Sequence, residues 1–329
     1  MLKNKNKKSE FSLENPRLAV VIPSYKVKNH IVELIRNIGS EISNIYVVDD
    51  KCPEFSGDVV KKNIKDKRVQ IIFHPENLGV GGAVKSGYLA ALKDGADIVI
   101  KLDGDGQMNP DLIPHLILPI LRGVADYVKG NRFYNIEGLS KMPILRLFGN
   151  SMLSLVNKFV SGYWNIMDPT NGFTAIHRQA LSLLPLQKIE NRYFFESDML
   201  FRLGIIRAVV QDMPMESHYA DEKSSLSIRK VLFEFPLKYI NRFFKRIFYN
   251  YFLRDFYAAT FELLFGMPLV VFGAWRGWSS WNLSMITNQP ATSGKVMLAA
   301  LPIIIGFQLL LDFLSFDIQN VPKVPLSQS

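Results

Sequence analysis

The pattern of apolar and polar positions divides the chain into three stretches of different character. From about residue 17 to 222, short apolar runs rich in β-branched residues alternate with segments of helical spacing. Leu18 to Ile22, Ile45 to Val48, Val69 to Phe73, Asp97 to Leu102 and Tyr127 to Gly130 read as strands, whereas His30 to Ile38 and Gly79 to Leu92 have a helical period. This alternation predicts an α/β domain with a mainly parallel sheet. In such sheets ligands bind at the carboxyl edge of the strands. Pro23 ends the first strand, Asp49 and Asp50 end the second, and Asp103 ends the fourth. The residues with chemistry therefore gather on one edge.

The second stretch, 226–255, interleaves Phe, Tyr, Leu and Ile with Arg229, Lys230, Lys238, Arg242, Lys245, Arg246 and Arg254. Rings and cations at helical spacing suit a helix lying in a bilayer interface. The third stretch holds two apolar runs, 256–275 and 296–314, each long enough to cross a bilayer core. Each carries one acid, Glu262 or Asp312, near an end rather than at its middle, where it is less costly. Trp275, Trp278 and Trp281 form an aromatic belt after the first run. Basic residues crowd before the first run, while the linker holds only Arg276 and Lys295. The positive-inside rule then predicts an integral membrane protein with two spans, its α/β domain and both termini cytosolic. The expected organisation is a disordered basic lead-in (1–16), an α/β domain (17–225), amphipathic juxtamembrane helices (226–255), spans at 256–275 and 296–314, and a cytosolic tail (315–329).

Composition narrows the classes. Of 329 residues 48% are hydrophobic, and the net charge is +9. That charge sits largely in the N-terminal tail and beside the first apolar run, which argues against a nucleic-acid partner and for a membrane bilayer. The single cysteine, Cys52, excludes an internal disulfide framework and a cysteine zinc site. The polar N-terminus lacks the apolar core of a signal peptide. Two spans per chain allow a homo-oligomer.

Residues 101–109 read KLDGDGQMN. Asp103 and Asp105, separated by one glycine just after a buried strand, can point into one site from a tight turn. Hard oxygen ligands of this kind suit Mg2+ or Mn2+, with Gln107 as a neutral third ligand. A metal there would bridge a diphosphate and neutralise charge on a leaving nucleotide. One of Asp49 and Asp50 can accept from a base N–H or a ribose hydroxyl, although acids at strand ends also serve as helix caps. Pro23 and Tyr25 end the neighbouring strand on the same edge, and Tyr25 can stack on a base. Residues 77–87, NLGVGGAVKSG, lack the register of a Walker motif. They predict a close-packed helix start against the nucleotide pocket, with Gly82 and Lys85 as nucleotide-sugar contacts.

The order VVIPSYK, VVDD, NLGVGGAVKSGY, KLDGDGQMNP, followed by DPTNGFTAIHR and FFESDMLFRL, resembles family 2 glycosyltransferases of the glycosyltransferase-A fold. With the two C-terminal spans it is similar to the polyprenyl-phosphate glycosyltransferase branch, which includes dolichol-phosphate mannose synthase. The resemblance implies a base contact at Asp49 or Asp50 and a metal set of Asp103, Asp105 and Gln107. It implies acceptor-phosphate contacts at Arg132 and Arg146, an acceptor-side wall at 168–173, and an acid pair at Glu196 and Asp198, with Arg202 one turn on. The sequence departs from the family in lacking an acid after Tyr25, and in placing Lys223 out of the register of the usual Ser-Lys step.

The implied reaction is an inverting transfer from a UDP- or GDP-sugar to undecaprenyl or dolichyl phosphate. An anionic phosphate acceptor needs no strong base, so positioning and charge stabilisation suffice. Arg242, Lys245 and Arg246 would help attract it. A hydroxyl acceptor on a lipid-linked or surface glycan is the alternative. It would require Asp168, Glu196 or Asp198 as base.

Overall fold

The computed structural model describes residues 15–134, 144–215 and 228–328, with backbone alone for 145, 146 and 228–233. Most of the basic lead-in, the Lys223 loop and the side chain of Arg146 lie outside the described residues. The chain divides into two units. The first comprises residues up to Phe243 together with Pro322–Ser329, and the second is Phe244–Val321.

The first unit is built on a seven-stranded sheet of order β3-β2-β1-β4-β6-β5-β7. Its strands are β1 (Leu18–Ser24), β2 (Ile42–Asp49), β3 (Val69–Phe73), β4 (Ile98–Lys101), β5 (Tyr127–Asn131), β6 (Thr174–His177) and β7 (Val210–Pro214). β1 pairs in parallel with β2 and β4, and β2 with β3. β6 runs antiparallel to both β4 and β5, while β5 and β7 are parallel. The expected parallel run thus holds from β3 to β4, and one reversed strand interrupts it. The fully apolar faces of β1, β2 and β4 supply Val20, Ile22, Val47 and Ile100 to one continuous core.

The strand expected to stop at Pro23 continues through it to Ser24. β4 pairs with β1 only as far as Val21, so Pro23 needs no amide partner on that side and keeps β2 on the other.

Helices α1 (Ile31–Arg36), α2 (Ser56–Asn63), α3 (Val80–Lys93) and α4 (Ile113–Leu121) link the parallel strands. α5 (Ile144–Ser161) follows β5, α6 (Arg178–Leu183) follows β6, and α7 (Phe195–Ile205) precedes β7. α8 (Ile228–Phe248) occupies the stretch read as interfacial. Its inner side packs on the α/β unit: Phe235, Tyr239 and Phe243 join Val156, Val160, Phe194 and Phe201. The Tyr239 hydroxyl meets Asn157 Nδ2 at 3.0 Å and Ser197 Oγ at 2.9 Å. Its outer side exposes Leu237, Ile240, Phe244 and Phe248. The last residues return to the first unit. The Leu326 N–H donates to Asp126 Oδ1 at 2.9 Å, so the tail is docked rather than loose.

The second unit holds two long helices, α9 (Ala258–Thr287) and α10 (Ser293–Gln319), both long and apolar enough to cross a membrane. They run past the expected ends at 275 and 314. Gly266 and Gly306 bring the two backbones together: a Cβ on Gly306 would lie 2.7 Å from Gly266 O. The extension of α10 matters because it carries Asp317, which is buried and takes a bidentate pair from Arg246 (2.7 and 3.0 Å) and the Tyr251 hydroxyl (2.6 Å). The chain leaves the first unit at 244 and returns to it at 322.

Candidate active site

The carboxyl ends of β1, β2 and β4 open onto a cavity of about 650 Å3. Pro23, Tyr25 and Lys26 line it after β1, Asp50 after β2, Gly79 and Val80 at the start of α3, and Asp103 and Asp105 after β4. The Lys26 ammonium lies 5.5 Å from the Tyr25 ring centre.

The Asp-Asp pair splits into two tasks. Asp49 is buried and caps: its Oδ1 accepts from Cys52 N–H (2.8 Å) and its Oδ2 from Gly57 N–H (2.7 Å) at the start of α2. Asp50 is the one on the cavity wall. It accepts from Leu78 N–H (2.9 Å), Gly79 N–H (2.7 Å) and His74 Nδ1 (2.8 Å), while His74 Nε2 meets Ser86 Oγ at 2.8 Å. Gly79 takes φ of +90°, and Asn191 O and Arg192 fill the space a side chain would need. Gly82 and Lys85 lie behind this wall. Gly82 donates its N–H to Asn191 O at 3.1 Å, and Lys85 donates to Asn191 Oδ1 and to Ile189 O (2.9 Å). They hold the 189–193 loop rather than line the cavity.

Asp103 and Asp105 sit on the turn after β4, with the backbone N–H of Gln107 donating to Asp105 Oδ1 at 3.0 Å. The Gln107 side chain is not on the cavity wall. Among the described residues, no group of three or more His, Cys, Asp or Glu forms a ready metal cage. Two carboxylates open to one cavity are nonetheless what Mg2+ or Mn2+ needs when phosphate oxygens and water complete the shell, so the donor set fits a metal held jointly with a diphosphate.

Beneath this turn lies Lys101, the buried first residue of the KLDGDGQMN stretch. Its ammonium donates to Asp103 Oδ1 (2.8 Å), Gly172 O (3.2 Å) and Glu196 Oε1 (3.3 Å). Burial works against its charge, but Asp103 and Glu196 outweigh that and hold its pKa above the ordinary lysine value. Lys129, next along on β5, donates to Asn171 O, and burial lowers its pKa to about 8.

The acids expected on the acceptor side lie under cations. Asp168 is fully buried, and Arg132 grips it bidentately: Nε to Oδ2 at 2.7 Å and NH2 to Oδ1 at 3.0 Å. Asp198 is equally buried. It accepts from Arg202 Nε (3.0 Å), Arg242 Nε (2.8 Å) and the Glu190 N–H (3.0 Å). Glu190 in turn pairs with Arg242 (3.0 Å) and Lys238 (2.8 Å). This corrects the expectation for α8. Lys238 and Arg242 face the acids of the α/β unit, and Arg246 faces Asp317, so none of the three is a cation waiting for lipid. Lys245 remains exposed.

Sequence reasoning missed Arg192 and Tyr193, which wall the cavity from the loop before α7. Their signal was a cation and an aromatic, NRYFF, directly preceding the acid pair. His74 and Ser86 behind Asp50 carried no signal, since no sequence pattern links them.

The mainly parallel seven-stranded sheet, with Asp50 and the Asp103–Asp105 turn at its carboxyl edge, is that of the glycosyltransferase-A fold. Residues 19–184, half of the chain, match the family described as glycosyl transferase family 2, and the protein belongs to that family. The chain is 29% identical over 216 residues to a UDP-N-acetylglucosamine–dolichyl-phosphate N-acetylglucosaminyltransferase of Methanococcus voltae, covering 61% of this chain and 86% of that one. It is 28% identical over 206 residues to an undecaprenyl-phosphate mannosyltransferase of Micrococcus luteus, covering 60% and 82%. The fold is similar to that of glucosyl-3-phosphoglycerate synthase from Mycobacterium tuberculosis, solved with Mn2+, UDP-glucose and phosphoglyceric acid. That likeness has a TM-score of 0.53 at 17% identity, over 70% of this chain and 79% of the other.

Proposed function

We propose that this enzyme transfers a sugar, with inversion, from a UDP- or GDP-sugar to a polyprenyl phosphate at the cytosolic membrane face. The observation that carries the reading is the state of the three acids that could serve as base. Asp168 lies under Arg132, Asp198 under Arg202 and Arg242, and Glu196 against Lys101. A hydroxyl acceptor needs a free base, whereas a phosphate acceptor arrives already ionised. The names of the Methanococcus and Micrococcus relatives, both polyprenyl-phosphate transferases, support the same choice. So do two helices able to span a membrane and the exposed apolar row on the outer side of α8.

In this reading Asp50 and Tyr25 hold the base, and Asp103 with Asp105 would hold a divalent metal, which would supply positive charge against the departing diphosphate. Arg132, fixed by Asp168, presents its guanidinium to the acceptor phosphate, with Arg146 as a second cation. An acceptor oxygen attacks the anomeric carbon from the face opposite the nucleotide. The bond from that carbon to the diphosphate oxygen breaks, and the nucleoside diphosphate leaves. One displacement inverts the centre. The polypeptide's contribution is alignment and fixed charge.

The test is one incubation of purified protein with UDP- and GDP-sugars, undecaprenyl phosphate, and Mg2+ or Mn2+ against EDTA. Metal-dependent formation of a lipid-linked sugar phosphate is expected. Transfer to a glycan hydroxyl, with none to any lipid phosphate, overturns the reading.

A further inference from the structure

We infer that Lys129 is a positioning residue of the acceptor side: its buried ammonium holds the 167–172 segment, which in turn fixes Arg132. The inference rests on the polyprenyl-phosphate reading above and names a residue that serves the acceptor without touching it. Arg132 takes its direction from that segment. Its Nε and NH2 donate to Asp168, and NH2 also reaches Thr170 Oγ1 at 3.2 Å. The guanidinium is therefore placed only as well as the segment is. Both ends of the segment are tied to the sheet. The Met167 N–H donates to Asp212 Oδ2 on β7 at 2.8 Å, Asn171 O accepts from Lys129 Nζ on β5, and Gly172 O accepts from Lys101 Nζ on β4 at 3.2 Å.

The two lysines differ in reach. Lys101 also holds Asp103, so it serves both sides of the cleft. Lys129 is not on the cavity wall, and among the described residues its ammonium meets a backbone carbonyl and forms no ion pair. The charged groups around it are Asp212, its partner in the β5–β7 register, with Asp168, Glu196 and Lys101. Each acid is committed elsewhere: Asp212 to Met167 and to Asn131 Nδ2 (3.1 Å), Asp168 to Arg132, and Glu196 to Lys101. A cation 1% exposed without a counter-ion is costly, and burial brings its pKa down to about 8. A methionine would fill the same space without that cost. It would leave Asn171 O without its donor and the segment without a charge-assisted hydrogen bond, about twice as strong as a neutral one.

Purified full-length protein in detergent with Mn2+ tests this on two substrates. KM is measured for undecaprenyl phosphate with the sugar nucleotide that wild type uses, and Kd for UDP and GDP by calorimetry. Lys129→Met should raise that KM about tenfold and leave the nucleotide Kd within about twofold. In wild type the KM should rise severalfold between about pH 7 and about pH 9, as Lys129 gives up its proton, with nucleotide Kd steady. The Lys129→Met profile should be flat over the same range. A merely structural lysine would weaken both substrates alike and leave no such step. If Lys129→Met does not fold, the double variant Lys129→Met with Asp212→Asn removes the facing acid as well and takes its place, and the wild-type profile needs no variant. A wild-type KM in a folded variant, equal weakening of both substrates, or a flat wild-type profile overturns the inference while the lipid-phosphate reading stands. Wild type that makes no lipid-linked product overturns both.

Discussion

On the side of the cleft proposed for the donor, Asp50, Asp103 and Asp105 stand at strand ends on the cavity wall, and backbone N–H groups hold Asp50 and Asp105. On the side proposed for the acceptor, Asp168 and Asp198 are fully buried and gripped by arginines. The number of acids is similar, but the electrostatic results differ. Backbone amides orient a carboxylate without cancelling its charge, so the first side keeps negative charge for a metal or a base N–H. Guanidinium groups cancel the charge they orient, so the acids of the second side are not left as free bases. Lys101 joins the two, since one ammonium contacts both Asp103 and Glu196.

The sharpest way to break this contrast is to neutralise one acid on each side. Asp105→Ala should reduce transfer by about a thousandfold, as loss of a group aimed at developing charge does. EDTA should do the same to wild type. Asp168→Asn and Asp198→Asn should cost far less in kcat, on the order of tenfold, because neither acid takes a proton in the proposed chemistry. Lipid-linked product formation measured side by side decides it. If Asp168→Asn matched Asp105→Ala with its fold intact, the acceptor would be a hydroxyl and the second side would hold a base.

Removing the cation instead of the acid probes burial. Arg132→Met leaves Asp168 charged in a dry site, which should cost about 3–5 kcal/mol. Arg132→Lys keeps the charge but loses the two-pronged grip. It should fold and raise KM for the lipid phosphate more than it lowers kcat. An Arg132→Lys enzyme with wild-type KM would remove this residue from the acceptor site.

The pair also sets an acid limit. Burial raises the Asp168 pKa, but the hydrogen bonds and charge of Arg132 outweigh it and hold the value below the ordinary 3.8. A carboxylate depressed in the folded state contributes stability that is fully present above its unfolded pKa. That contribution is lost as pH falls below that value toward the folded one. Thermal melts of wild type should therefore fall more steeply than those of Asp168→Asn between about pH 4.5 and about pH 3. Parallel curves would mean that the pair is not charged in the native protein.

The donor side was largely legible in the sequence, and the acceptor side was not, for one reason. Strand-end acids announce themselves through local spacing: apolar runs ending in VVDD and in KLDGD locate both the strands and the turns. Even there, which of Asp49 and Asp50 faced the cavity depended on α2 needing a cap, a contact eight residues away. On the other side, apart from Arg202 one turn from Asp198, the cation partners are distant in sequence. Arg132 meets Asp168 across 36 positions and Asp198 meets Arg242 across 44, just as, within the second unit, Arg246 meets Asp317 across 71. Periodicity carries nothing about such pairs. The basic row of α8 therefore read as a face for lipid, when its inner cations were already matched to Glu190 and Asp198. The reversed strand β6 escaped for a related reason. Thr174–His177 is four residues long, and its direction is set by β4 and β5 rather than by its own composition.

The smallest expected effect tests whether cancellation depends on burial rather than on ion pairing as such. Lys238 and Arg242 share Glu190 and both lie near the Phe194 ring. They differ in what else they hold. The Lys238 side chain is 32% exposed and, among the described residues, pairs only with Glu190, itself 25% exposed, so water screens the contact. Arg242 also reaches Asp198, which has no access to water. Lys238→Met keeps an apolar stem over the ring and removes one screened pair. It should cost less than about 1 kcal/mol and leave transfer unchanged. Arg242→Met should cost about 3 kcal/mol, because Asp198 is left with Arg202 alone. Melting curves of the two variants in the same detergent give the comparison directly. Equal losses would mean that the exposed and the buried contacts weigh the same, and the claim that burial makes the arginine grip on the acceptor side strong would fall with them.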